Sequence, residues 1–269
     1  FQANIFDAGG RKVASSKMTS APAKSRLHLY EVKLDPIKVV SPRLWNVTSP
    51  KSEDQTQSLY TCEVVMYVNG KPTDKIHERF GFRTIEYSPN FGFQLNGKKV
   101  FLQGIANHTD FGGVGVATYR TAIERQLRQL KSFGFNAIRC AHNPYPEVFY
   151  DLCDEMGFLV IDELVDKWSN DGNCWGGRKS FMYVWPQLLT EWVKRDRNHP
   201  CIIMWSLGNE MQHRENASGY MTGDWGITTF RILDTYLKRY EKTRPSTAAM
   251  YPARANGIRR ADPGFREIS

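Results

Sequence analysis

From about residue 100, short apolar runs alternate with longer stretches of helical period, and this alternation most narrows the folds open to the chain. Val100–Ala106, Phe135–Ala141, Phe158–Ile161 and Cys201–Leu207 read as strands, with Thr247–Tyr251 as a fifth. Tyr119–Phe133, Pro146–Met156, Trp185–Arg197 and Trp225–Tyr240 read as helices; in the first, Ile123, Leu127 and Leu130 share one face. Pro146 sits at a tolerated first-turn position and Gly157 is placed as a left-handed cap. Thr121 and Glu124 have capping-box spacing if the first helix starts slightly after residue 119. Strands that are apolar throughout are buried on both faces, which predicts a parallel sheet covered by helices. A doubly wound sheet would place a glycine-rich phosphate turn after a strand, and none occurs. The first four strands instead each end in polar, chemically capable residues, as in a (β/α)8 TIM barrel, where the C-terminal strand ends build the site. A complete barrel takes ~250 residues. Lys98 to Ser269 supplies about 170 residues and five strands, so the expected barrel is short by about three βα units.

Upstream the period is two. Phe1–Ile5, Leu27–Val32 and Leu59–Val68 alternate apolar and polar positions; Asp7–Gly10 is a turn, and Asn69-Gly70 a tight hairpin before Lys75–Arg83. Trp45 precedes a polar loop at 48–58, and a second hairpin, Phe93–Val100, turns at Asn96-Gly97. The expectation is an immunoglobulin-like β-sandwich over residues 1–87, followed by the N-terminal part of a TIM barrel over 88–269. Five strands cannot close an eight-stranded barrel, so the open edge is expected to be covered by a partner, disordered or prone to association, and a homo-oligomer is one way to cover it. The opening residues already read as the inside of a strand and no Met precedes them, so a start within a longer protein is expected.

The net charge is +8, but the basic residues are scattered apart from Arg254–Arg266. No basic stripe interleaved with aromatics is present, which argues against nucleic acid as a partner. No run is long and apolar enough to span a membrane. The five Cys lie far apart without a CxxC, indicating neither a disulfide framework nor a zinc site. Aromatics make up 13% of the chain with seven Trp, which suits a large core or a carbohydrate site.

Chemistry concentrates at the strand ends. The apolar strand Cys201–Leu207 delivers Gly208-Asn209-Glu210. A carboxylate there is partly desolvated, which raises its pKa and suits it to general acid work; pairing with an arginine or capping a helix is the plain alternative. Asn209 can hydrogen-bond a substrate hydroxyl. His108 and Asp110 end the first strand and His142 and Asn143 the second; they can bind sugar hydroxyls or cap loops. Asp162 and Glu163 end the third, as ligands or as groups that orient Arg139 beneath the site. Trp168 and Trp205 can stack on a sugar or pack in the core. A metal site from His108, His142, Asp162 and Glu163 lacks HxxxH or HxH spacing, and no metal and no cofactor are expected.

The segments Asn96–Ile105, Gly134–Pro144, Leu152–Glu163, Arg197–Pro200 and Trp205–Glu210, in this order and spacing, resemble the first half of the catalytic barrel of glycoside hydrolase family 2. Phe80–Ile85 resembles that family's junction between sandwich and barrel. The resemblance implies a carbohydrate substrate, Glu210 as general acid/base, and Asn209 as partner of the sugar 2-hydroxyl. It implies His108 and His142 as sugar-contacting residues with Asp110 beside them, Arg139 at the base of the site, and a nucleophilic Glu on a later strand. Ser206–Glu210 looks most like the β-galactosidases, with β-glucuronidase, β-mannosidase or a non-catalytic carbohydrate-binding fragment as alternatives. One departure is Leu164–Ser169, where magnesium-dependent β-galactosidases carry an acidic residue and a His; Asp166-Lys-Trp168 looks instead like a branch in which an aromatic lines the pocket. The compartment is unassigned, with the periplasm or secretion slightly ahead of the cytoplasm.

Overall fold

The computed structural model describes residues 1–21, 31–48, 57–168, 181–209 and 224–249. The first domain contributes β1 (Gln2–Phe6), β2 (Lys12–Ser15), β3 (Tyr60–Val68) and β4 (Lys71–Phe80), an antiparallel sheet in the order β2-β1-β3-β4. Asn69 and Gly70 have φ of 51° and 76°, the left-handed pair that a two-residue hairpin matching strand twist requires. Asn96 and Gly97 do the same, at 53° and 73°. They join β6 (Gly92–Leu95) to β7 (Lys98–Lys99) in a three-stranded sheet begun by β5 (Ile85–Ser88). The expected boundary at 87/88 therefore falls inside β5. The strand expected at Leu27–Val32 lies mostly outside the described residues, and residues 31 and 32 are not in a strand.

The barrel portion follows as β8 (Gly104–His108), α1 (Arg120–Ser132), β9 (Ala137–Ala141), α2 (Glu147–Met156), β10 (Leu159–Glu163), α3 (Phe181–Asp196), β11 (Ile202–Ser206), α4 (Asp224–Leu237) and β12 (Ser246–Thr247). The five strands form one sheet in the order β12-β11-β10-β9-β8, every neighbouring pair parallel. Sequential order with helical crossovers is barrel topology; a doubly wound sheet reverses direction midway. Ile123 and Leu127 of α1 are buried against the sheet, each contributing about 1.5–3 kcal/mol. Among the described residues no helix is long and apolar enough to cross a membrane.

Local differences from expectation have local causes. The first barrel strand is Gly104–His108 rather than Val100–Ala106. Its position is set by pairing with β9, where Gly104 lies opposite Ala137 and a Cβ on Gly104 would come within 3.2 Å of Ala137. Phe101, inside the expected strand, is exposed. The capping box does not form, because α1 begins at Arg120 and Tyr119 makes no side-chain cap. Pro146 is the N-cap of α2 rather than its first helical residue.

The two domains are joined by polar contacts, one buried and the rest partly buried. Trp45, fully buried, donates its indole N–H to the Asp154 carbonyl at 2.9 Å. Arg79, at the end of β4, pairs with Asp151 at 2.6 Å and Glu155 at 2.8 Å on α2. Arg83 donates to the Pro200 and Ile202 carbonyls at 2.5 and 2.7 Å, and Tyr87 to the Ile203 carbonyl at 2.7 Å. Burial, together with nearby Arg244, pulls the Arg83 guanidinium down to about 10, still charged at neutral pH.

Gly157 ends α2 at φ 66° and ψ 46°, and at this junction it has a second role. A Cβ there would lie 2.7 Å from the Thr48 amide nitrogen and 2.6 Å from Gln57 Nε2. Gly157→Ala is expected to cost ~1–2 kcal/mol from the left-handed conformation alone, and more from the contact with Thr48. Urea unfolding compared with wild type checks this, and an unchanged midpoint would contradict it.

Candidate active site

The register of the parallel sheet decides which strand-end residues meet. In a strand successive side chains point to opposite faces. Arg139 lies opposite Ala106 and Ile161, and Glu163 opposite Ser206, so Arg139, Glu163, Ser206 and His108 share the inner face. Asn107, Asp162 and Trp205 take the other face, toward the helices.

Glu163 is the hub of the inner face. Its carboxylate is fully buried and accepts from Arg139 at 2.6 and 2.9 Å, His142 Nδ1 at 3.0 Å and Ser206 Oγ at 2.7 Å. Arg139 also donates to Asn209 Oδ1 at 2.7 Å. Asn209 Nδ2 in turn donates to Asp166 Oδ1 at 2.8 Å, and the Asn209 backbone N–H to the Asp166 carbonyl at 2.9 Å. Lys167 reaches the same Asp166 oxygen at 2.6 Å and the Asn209 carbonyl at 3.1 Å. The result is one continuous chain of contacts running His142, Glu163, Arg139, Asn209, Asp166, Lys167. The His108 ring meets the His142 ring edge-on, with centroids 5.0 Å apart. The peptide bond before His142 is cis.

The remaining expected residues fall elsewhere. Asp162 accepts from Tyr150 Oη at 2.6 Å and Trp192 Nε1 at 2.7 Å, in the layer between sheet and helices. Burial, and then the neighbouring Asp196 carboxylate, push its carboxyl well above the usual range. It braces β10 against α2 and α3. Asp110 Oδ1 accepts from the Gly112 amide at 2.8 Å, and Asn143 Nδ2 donates to the Pro144 carbonyl at 2.8 Å; both are exposed loop positions whose bonds here are local rather than to Glu163. Trp168 is only 1% exposed and donates to the Leu207 carbonyl at 2.8 Å, so the ring expected to face a sugar is packed in the core. Trp205 is likewise buried, edge-on to Trp192. Glu210 lies outside the described residues.

Ser206, Asp166 and Lys167 are read in the sequence only as parts of the Ser206–Glu210 and Asp166-Lys-Trp168 motifs, without a site role of their own. Ser206 was findable, since it lies two residues after Met204 on the same face of a strand. Asp166 and Lys167 sit in the loop after β10, where no period applies. Among the described residues no group of three or more His, Cys, Asp or Glu side chains is placed to hold a metal ion.

The chain has counterparts among known proteins. The family profile described as "Glycosyl hydrolases family 2, TIM barrel domain" matches residues 90–248, and "Glycosyl hydrolases family 2" matches residues 1–83. A β-galactosidase of Bacteroides ovatus is 35% identical over 208 residues, covering 77% of this chain and 23% of that protein. A β-glucuronidase of Bacteroides fragilis is 31% identical over 216 residues, covering 80% of this chain and 29% of that protein. The chain thus spans about a quarter of the length of these curated relatives. Among solved structures, a glycosyl hydrolase family 2 member from Bacteroides cellulosilyticus superposes with a TM-score of 0.77 at 32% identity, over 93% of this chain and 31% of that one. A β-glucuronidase from Ruminococcus gnavus, in complex with a C6-substituted uronic isofagomine, superposes with a TM-score of 0.73 at 26% identity, over 93% and 38% of the two chains. With a family profile covering more than half its length, and a sandwich followed by parallel barrel strands in the matching order, this chain belongs to glycosyl hydrolase family 2.

Proposed function

We propose that the complete protein is a retaining β-glycosidase acting on terminal β-D-galactosides, with Glu210 as its general acid/base. The observation that carries this is the fixing of Asn209, the residue before Glu210, between Arg139 and Asp166 at the C-terminal end of β11. Such a clamp suits a residue that must meet a sugar hydroxyl in one orientation. In the first half-reaction Glu210 gives its proton to the glycosidic oxygen as the C1–O bond breaks and a second carboxylate, on a later barrel strand, bonds to C1. In the second, Glu210 takes a proton from water, whose oxygen displaces that carboxylate from C1. Retention asks for the two carboxyls ~5–5.5 Å apart.

Charge favours a neutral sugar. Within the described cluster Arg139 faces Glu163 and Lys167 faces Asp166, so each cation already has an anionic partner. A C6 carboxylate would compete with these carboxylates for the same donors. β-Glucuronide hydrolysis is the second reading, favoured by relatives of that name. Assaying the complete protein on nitrophenyl β-galactoside, β-glucuronide and β-mannoside is expected to show the galactoside turned over fastest. Fastest turnover of the glucuronide would transfer the proposal to the second reading. Sugar binding by calorimetry with no hydrolysis of any substrate would sink both.

A further inference from the structure

Asn209 is held at both ends by groups of opposite charge. A guanidinium can only donate, so Arg139 selects the Asn209 amide oxygen; an ionised carboxylate can only accept, so Asp166 selects the amide nitrogen. The two contacts fix which way the amide faces, and either alone would leave it freer to turn. The backbone is fixed by the same loop, because Asp166 accepts the Asn209 N–H and Lys167 donates to the Asn209 carbonyl. Asp166 is itself kept in its accepting form. Burial works against its ionisation, but the hydrogen bonds from Lys167 and Asn209, and the charges of Lys167 and His142, hold its carboxyl below the usual carboxylate value. Asn209 is 4% exposed, so it has little room to find another rotamer. One hydrogen of Nδ2 is used by Asp166, which leaves the second for a substrate hydroxyl.

We infer that Asp166, with Lys167 behind it, is a positioning residue: it sets the polarity and rotamer of Asn209 so that the second amide hydrogen is presented to the sugar 2-hydroxyl. This rests on the reading of the protein as a glycosidase whose Asn209 meets that hydroxyl. Asp166 does not touch the reacting atoms. Its effect passes through Asn209, so it should depend on whether the substrate has a 2-hydroxyl to receive the bond.

The experiment uses the complete enzyme and two substrates: the aryl β-glycoside that wild type turns over best, and its 2-deoxy counterpart. Asp166→Ala is expected to lower kcat/KM on the first by roughly tenfold to a hundredfold, the weight of a hydrogen bond involving a charged group. On the 2-deoxy substrate the loss should be under about threefold, since the contact served by Asp166 is then missing in wild type as well. Asp166→Asn, which keeps an accepting oxygen in the same shape, is expected to recover part of the loss on the first substrate and guards against a folding defect in the alanine variant. Equal losses on both substrates, or no loss on either, would overturn the inference while leaving the glycosidase reading intact. No turnover of any aryl glycoside by wild type would overturn both.

Discussion

Replacing Glu210 with Gln in the complete enzyme is expected to lower kcat/KM on an alkyl glycoside, and kcat on a nitrophenyl glycoside, by about 10²–10⁴-fold, the usual weight of a positioned general acid/base. Glutamine keeps the shape but has no carboxyl proton to give and no carboxylate to take one from water. The size of the loss should follow the leaving group. An alkyl glycoside needs a proton on its departing oxygen, so it suffers most at the first step. A nitrophenolate departs without one, and there the loss should sit in the second step, where water must be deprotonated. Steady-state assays on one substrate of each kind, with a burst measurement on the nitrophenyl glycoside, check this. Near-normal turnover of the alkyl glycoside by Glu210→Gln would remove Glu210 from the reaction.

The second large effect is on stability. Arg139→Ala leaves the fully buried Glu163 carboxylate with His142 and Ser206 as its donors among the described residues. Breaking one side of a buried pair typically costs about 3–5 kcal/mol. The barrel should therefore unfold at lower urea, followed through Trp192 and Trp205, which lie in its core. The double variant Arg139→Met with Glu163→Leu removes both charges, and such replacements are often nearly neutral for stability. It should regain most of the lost stability yet remain a poor catalyst, because Asn209 still lacks Arg139. An Arg139→Ala protein as stable as wild type would show that the pair holds nothing together.

Much of this fold is visible in the sequence because its determinants are local. Asn69-Gly70 and Asn96-Gly97 announce their hairpins through the left-handed conformation they tolerate. The apolar face of α1 and the glycine closing α2 are equally local. The site was less legible because its logic is pairing register, which is not local. Asp162 and Glu163 look alike as a dipeptide, but adjacent residues in a strand point to opposite faces, so one braces helices and the other anchors Arg139. Trp205 and Ser206 divide the same way: the large ring went to the helix layer and the small hydroxyl to the site. Asp166 and Lys167 lie in a loop whose course is set by the strand end it meets, and nothing in their neighbours announces that.

The contacts of Arg83 bear on how this architecture can be recombined. Arg83 grips the carbonyls of Pro200 and Ile202 at the start of β11, and Asn209 stands seven residues beyond Ile202. An extended chain covers that distance in ~23 Å, so the strand that ends in the site is moored at its other end by a residue from the sandwich side of the chain. A barrel transplanted onto a foreign sandwich would lose that mooring unless a guanidinium were rebuilt at the same place. Chimaeras that exchange the two domains should therefore keep Trp45, Arg83 and Tyr87 on the new sandwich, so that their bonds to Asp154, Pro200, Ile202 and Ile203 of the barrel are preserved.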